Sequence, residues 1–145
     1  MPNFRERERA LYEALRFKIS LDLEFSEDQF EKWDIMSHEK ELFGELKCRD
    51  AKYKRSYEDF LIERNKWEAL MQKSRETGYR PLYINEHEGD VWVYALDMVQ
   101  EPEWKTLRCN AHTHFHAKGG ERIEKQVGFL KWGQCQRFYK GFLKV

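Results

Sequence analysis

Two short stretches decide how this sequence folds: Trp33-Asp34-Ile35-Met36 and Gly44-Glu45-Leu46-Lys47-Cys48-Arg49. They belong to two segments, residues 32–36 and 42–48, that have the character of β-strands. The polar residues 37–41 between them are typical of a turn. We therefore predict that the two segments pair as an antiparallel hairpin.

The register of this hairpin determines which side chains meet. A turn centred between residues 39 and 40 places Asp34 directly opposite Glu45, with the two side chains about 5 Å apart. Lys47 follows Glu45 by two residues and therefore lies on the same face of the strand. A slip of one residue would exchange the two faces. The opposite face, which we predict to be the core side, carries Trp33, Ile35, Leu46 and Cys48.

The side chains on the polar face have the chemistry of a metal site. Two carboxylates this close repel each other unless a cation or a proton lies between them. Mg²⁺ prefers oxygen ligands and needs only one or two carboxylates together with water and phosphate. A neighbouring lysine can orient the attacking water and neutralise charge that develops on a phosphate. Asp34, Glu45 and Lys47 are therefore candidate catalytic residues, although an ordinary solvated cross-strand pair would give the same pattern.

The other elements are predicted from the periodicity of apolar residues. Helices are expected over residues 4–17 and 57–76, with Gly78 closing the second helix. The order up to residue 97 is then α-β-β-β-α-β-β, which predicts an α/β (α+β) fold with a central mixed sheet flanked by helices. The further strands are expected over residues 19–25, 80–85, 91–96, 104–109 and 123–132.

Composition excludes several classes of protein. The 145 residues carry 26 basic and 26 acidic side chains, so the zero net charge excludes a polycationic packaging protein. Aromatic residues make up 15% of the chain, which excludes wholesale disorder. No apolar run is long enough to span a bilayer, and residues 1–9 do not have the pattern of a signal peptide. Three widely spaced cysteines favour a reducing, cytoplasmic location.

The charges are unevenly distributed along this single domain of residues 1–145. Residues 1–46 and 81–97 are acidic, with net charges of −5 and −4, and residues 47–80 and 98–145 are basic, with +4 and +5. This pattern fits a metal site beside a phosphate-binding surface, but from the charges alone we favour chance clustering on a solvated surface, because runs of charge are usually exposed faces. We divide the domain into a core, residues 1–97, and a loop- and strand-rich C-terminal extension that is basic and rich in histidine.

Asp34 followed by Glu45-x-Lys47, within an α-β-β-β-α-β order, resembles the PD-(D/E)XK nuclease superfamily. This superfamily includes many restriction enzymes, junction resolvases and phage exonucleases. The stretch Ile62-Glu63-x-x-Lys66-x-x-x-Leu70 also looks like the helix after the motif in small phage-type members. The resemblance covers residues 1–97. Trp33 stands where the proline of the family name would be, and many members lack that proline.

The resemblance implies a restriction-endonuclease-like core that uses Mg²⁺ or Mn²⁺. It implies that Asp34, Glu45 and the carbonyl group of Leu46 are metal ligands and that Lys47 is the catalytic lysine. Many members add a glutamate from the first helix. Glu8 fits this role best because it lies on the apolar stripe of that helix, and Glu13 is the alternative. Homodimers are common in the superfamily, so a homodimer is an expectation here.

Basic residues near the motif are candidate nucleic-acid contacts, since phosphate contacts dominate nucleic-acid affinity. A solvated loop is the alternative for the run that follows Lys47, and Lys66 is suggested by the resemblance. The full set of candidates is Arg49, Lys52, Lys54, Arg55, Lys66 and Lys125.

The C-terminal extension contains Cys109 and the cluster His112, His114 and His116. The spacing matches no common zinc finger and there is no CxxC pair, so zinc is disfavoured. The basic and aromatic residues that follow would suit single-stranded or distorted nucleic acid. The alternative, which we favour for most of these aromatic residues, is a small core packed against the sheet.

We therefore predict a Mg²⁺-dependent nuclease that hydrolyses DNA phosphodiester bonds. The first alternative is a catalytically inactive nucleic-acid-binding or phage assembly protein on the same fold, in an infected bacterial host. A zinc-bound interaction module built on the extension is the second.

Overall fold

The computed structural model describes residues 4–28, 33–50, 58–110 and 122–143. Three of the predicted nucleic-acid contacts, Lys52, Lys54 and Arg55, lie outside the described residues. The cluster of His112, His114 and His116 lies outside them as well.

Two α-helices and nine strands form the described part of the chain. Helix α1 is Phe4–Arg16 and helix α2 is Arg64–Thr77, which Gly78 closes in a left-handed conformation with φ of 74°. Two 3₁₀ turns cover residues 96–98 and 132–134. The strands are β1 Glu24–Phe25, β2 Ile35–Ser37, β3 Leu42–Cys48, β4 Asp59–Glu63, β5 Arg80–His87, β6 Asp90–Ala95, β7 Lys105–Asn110, β8 Arg122–Lys131 and β9 Arg137–Tyr139.

The strands form two sheets. The central sheet has the order β1-β2-β3-β5-β6-β9, in which β3 and β5 run parallel and the other neighbours antiparallel. The second sheet is antiparallel, with the order β4-β8-β7. This confirms the predicted α/β (α+β) class with a central mixed sheet flanked by helices. Strands β8 and β9 come from beyond residue 97 and pair with β4 and β6.

Both faces of the central sheet are buried. On one face, Leu11 and Leu15 of α1 pack against Leu46 and Ile84 in a first core. On the other face, Trp67 and Leu70 of α2 pack in a second core with Phe43 and Tyr83 of the central sheet. Phe60 of the second sheet belongs to the same core. The face that carries Glu45 and Lys47 is therefore covered over most of its length, and those two residues lie partly buried at its edge.

The predicted hairpin is confirmed, including its register. Ile35 pairs with Gly44 and Ser37 with Leu42, so the same register carried back by one residue places Asp34 opposite Glu45. The predicted core side holds for Ile35, Leu46 and Cys48. It is wrong for Trp33, which packs against the second core. Trp33 precedes the first residue of β2, so strand alternation does not govern its direction.

Two predicted elements differ from the structure. The strand expected over residues 19–25 is reduced to β1, because the Asp22 carboxylate accepts hydrogen bonds from Ser20, Ser37 and the Glu39 amide and so forms a turn. The helix expected over residues 57–76 begins only at Arg64. Residues 59–63 form β4 instead, because they pair with β8. No helix of the described residues is both long and apolar enough to cross a bilayer.

Candidate active site

The Asp34 carboxylate is fixed by backbone contacts. The Asp34 amide donates to the Gly44 carbonyl at 2.8 Å, and the Asp34 carbonyl accepts from the Ser26 amide at 2.8 Å. Oδ2 of Asp34 accepts a hydrogen bond of 2.8 Å from the Leu46 amide. The carboxylate therefore lies against β3 between Glu45 and Lys47, with Oδ1 left for other partners.

Glu45 projects from β3 into a largely buried position. Burial is the main cause that raises the pKa of Glu45 to about 7, and the negative charge of Asp34 adds to it. Lys66 of α2 opposes the shift through an ion pair in which Nζ is 3.4 Å from Oε2 of Glu45. The pKa of Glu45 thus stays well above its ordinary value although Lys66 and Lys47 both lower it.

Helix α1 brings Glu8 to the same place. Its Oε1 contacts Nη1 of Arg5 at 2.8 Å, and that same nitrogen is 3.2 Å from Oδ1 of Asp34. Burial raises the pKa of Glu8, Arg5 opposes this, and the Asp34 carboxylate adds to it. Glu8 and Asp34 are therefore close neighbours. Glu13, the alternative helix glutamate, is half exposed and pairs with Arg9 and Arg16 instead.

The position of α1 depends on a buried ion pair. Nη2 of Arg7 is 3.0 Å from Oε1 of Glu86 and donates to the Arg49 carbonyl at 2.8 Å. Only 3% of the Glu86 side chain is exposed, and its second oxygen accepts from the Gly89 amide. These contacts hold the first turns of α1 at the end of β3 and β5 where the carboxylates lie.

Lys47 is a cation of the cluster that makes no ion pair within the part of the chain that the structure describes. Its charge acts on both Glu8 and Glu45, which places it beside the three carboxylates. Within the described residues it has no hydrogen-bond or ion-pair partner, whereas Lys66 is paired with Glu45. An unpaired ammonium beside carboxylates can contact a water or a phosphate oxygen without giving up another bond.

The donor chemistry of the cluster fits a hard divalent cation. Among the described residues, no group of three or more His, Cys, Asp or Glu side chains is spaced to hold a metal ion together. The carboxylates contact Arg5 and Lys66 instead. Mg²⁺, however, is usually held by one or two carboxylates and several waters. Asp34 and Glu45 could supply those two carboxylates, since they are close enough for the charge of Asp34 to act on Glu45.

The described nucleic-acid candidates occupy different positions. Lys66 contacts Glu45 in the site, and Lys125 pairs with Glu63 at 3.1 Å beside the start of α2. Arg49 is directed inward. Its Nε donates to Asn85 at 2.8 Å, and its Nη2 donates to the Leu61 carbonyl at 2.8 Å and to the Tyr83 hydroxyl at 3.2 Å. Arg49 thus connects the two sheets, and its role toward nucleic acid stays a prediction.

Sequence reasoning missed Arg5. Arg5 lies one helical turn before Glu8, and residues three apart on a helix are neighbours. That spacing could have identified it as a partner of Glu8. Its contact with Asp34 depends on how α1 docks, which no local pattern shows.

Comparisons with known proteins give a distant structural likeness. No protein-family model matches the chain, and no match is found among curated proteins. The chain is similar to the 1.6 Å structure of Hjc, a Holliday junction resolvase from the archaeal hyperthermophile Archaeoglobus fulgidus. The two chains are 13% identical with a TM-score of 0.49, over 67% of this chain and 79% of the other. We therefore infer function from the geometry of this chain's own residues.

Proposed function

We propose that this protein is a nuclease that hydrolyses phosphodiester bonds of DNA with the help of Mg²⁺ or Mn²⁺, as a member of the PD-(D/E)XK superfamily. One observation carries the proposal: Glu8, Asp34 and Glu45 from three separate segments converge beside Lys47, which has no ion-pair partner among the described residues. The order of helices and strands agrees with the resemblance, with β4 as an added strand before α2.

Each side chain has a distinct role in this proposal. Asp34 and Glu45 would hold the divalent cation, with the Leu46 carbonyl as a further ligand and Glu8 beside them. Such a cation would supply a water of lowered pKa and polarise the phosphate. Lys47 would orient the attacking water and neutralise charge on the phosphate. Lys66, which pairs with Glu45, would be a second cation beside the phosphate.

The second candidate is a protein that binds nucleic acid on the same fold without cleaving it. The contacts of Arg5 and Lys66 favour this candidate, because they already satisfy the three carboxylates in part. It predicts binding of DNA that neither Mg²⁺ nor Mn²⁺ converts into cleavage. A homodimer, a cytoplasmic location and a phage origin stay predictions from the sequence.

Cleavage of end-labelled DNA distinguishes the two candidates. Linear duplexes, single strands and four-way junctions are incubated with the wild-type protein in EDTA, Mg²⁺ or Mn²⁺. We expect cleavage only with a divalent cation, and we expect Lys47→Ala to abolish it while its melting temperature stays close to that of the wild type. Glu13→Gln is the matched control, because Glu13 is on α1 but outside the site. Activity that survives in Lys47→Ala and Glu45→Gln alike would refute the proposed site.

A further inference from the structure

The guanidinium of Arg5 occupies one side of the candidate site. Its Nη1 contacts Oε1 of Glu8 at 2.8 Å and Oδ1 of Asp34 at 3.2 Å. Its Nη2 donates to the carbonyl of Ser26. One cation thus joins α1 to Ser26 and to Asp34.

The guanidinium is held in place on a second side as well. Its central carbon lies 4.3 Å from the centroid of the Phe25 ring, within the range of a cation–π contact. The Arg5 side chain is nevertheless 37% exposed, whereas Asp34 is 17% exposed. Arg5 can therefore leave its partners toward solvent without opening either hydrophobic core.

Arg5 contacts Oδ1 of Asp34, the carboxylate oxygen that the Leu46 amide leaves available to a metal ion. Oδ2 of Asp34 accepts from the Leu46 amide, so Oδ1 is the oxygen that faces the site, and Nη1 of Arg5 contacts it. The charges point the same way. Three carboxylates, Glu8, Asp34 and Glu45, are matched by three cations, Arg5, Lys47 and Lys66. A divalent cation placed at Asp34 would lie beside a guanidinium of the same sign.

We propose that Arg5 is the resident counter-ion of this site and that a divalent cation displaces it from Glu8 and Asp34. This inference rests on the proposed function, because it presumes that the carboxylates bind a metal ion. In the metal-free protein Arg5 keeps the two carboxylates together. Metal binding then includes the release of Arg5, which weakens the apparent affinity of the site for the cation. The site therefore stays empty when only traces of the cation are present.

Calorimetric titration with Mn²⁺ tests the proposal on the full chain after treatment with EDTA. Loss of one charge-assisted contact corresponds to about a tenfold change in affinity. We therefore expect Arg5→Ala to bind Mn²⁺ about tenfold more tightly than wild type and to melt at a lower temperature in EDTA. Arg9→Ala is the matched control, because Arg9 is on the same helix and 5.0 Å from the same Phe25 ring but pairs with Glu13 and Glu27. Its affinity should stay within about twofold of wild type.

The outcomes separate this inference from the proposed function. Unchanged or weaker binding by Arg5→Ala, with wild type binding Mn²⁺, overturns the role of Arg5 and leaves the metal site. Binding by Arg5→Ala alone overturns displacement of Arg5 by the cation, and it also counts against the proposed function, because the wild-type site then takes no metal ion. Absence of binding in both proteins overturns both. If Arg5→Ala does not fold, Arg5→Gln keeps a hydrogen-bond donor without the charge, and the same tighter binding is expected.

Discussion

The free-energy cost of Glu45 gives the sharpest test of the site. The pKa of Glu45 is about 7 in the folded protein against an ordinary value of 4.5. Between these two values the folded state binds more protons than the unfolded state, so stability falls as the pH rises. Each pH unit in this interval lowers the free energy of unfolding by about 1.4 kcal/mol. Above pH 7 the ionised Glu45 therefore lowers it by about 3 kcal/mol in total.

Glu45→Gln removes this cost, because glutamine has a similar shape and no charge to desolvate. In EDTA at pH 8.5 we expect the variant to be more stable than wild type by about 1–3 kcal/mol, the lower value reflecting the lost ion pair with Lys66. At pH 5 we expect little difference, since wild-type Glu45 is then mostly protonated. Urea denaturation at the two pH values measures both free energies of unfolding.

The pH dependence is the decisive part of this result. Glu13→Gln serves as the control, because Glu13 is half exposed and outside the site. Its stability should stay within about 0.5 kcal/mol of wild type at both pH values. If Glu45→Gln is less stable than wild type at pH 8.5, or if its effect is the same at pH 5, burial and the charge of Asp34 do not raise the pKa of Glu45 as described.

Two further predictions concern residues that hold the fold around the site. Arg49→Met should lower the free energy of unfolding by about 1–3 kcal/mol, because Oδ1 of the buried Asn85 loses its donor while the Leu61 carbonyl keeps the Tyr83 hydroxyl; urea denaturation measures this, Arg75→Met at an exposed position of α2 is the control, and an effect below about 0.5 kcal/mol would contradict it. Asp22→Asn should lower the melting temperature at pH 7, since hydrogen bonds from Ser20, Ser37 and Glu39 lower the pKa of Asp22 to about 2. That stabilisation is present above pH 3.8 and is lost as the pH falls through 2, so the difference in melting temperature between Asp22→Asn and wild type should narrow in acid. A difference in melting temperature that does not depend on pH would refute this prediction.

The sequence alone predicts the half of the site that a hairpin builds. The turn between β2 and β3 is four residues long, residues 38–41, and polar, so both strands and their register follow from local spacing. In the register centred between residues 39 and 40, alternation along β3 and pairing across the hairpin make Asp34, Glu45 and Lys47 neighbours, whereas a slip of one residue would exchange the faces. The same reasoning gives β5 and β6, which are joined by a short turn.

Elements that depend on distant partners could not be predicted. The segment Asp59–Glu63 has apolar residues at a spacing that suits either a strand or the start of a helix, and its pairing with β8 decides the matter. Residues 19–23 alternate like a strand, yet the side chain of Asp22 forms hydrogen bonds that compete with pairing. In both cases the deciding contact lies outside the local pattern.

The α1 half of the site is the least local part of the molecule. Arg7 reaches Glu86 across 79 positions of sequence and also the carbonyl of Arg49, and these groups lie at the ends of β5 and β3. Both acceptors come together only after the parallel pair has formed. Arg5 and Glu8 can therefore reach Asp34 only in the complete fold, whereas Asp34 and Glu45 already meet in the hairpin. It follows that a change which loosens α1 removes one carboxylate and its counter-ion together, while the hairpin pair that we propose to bind the metal ion remains.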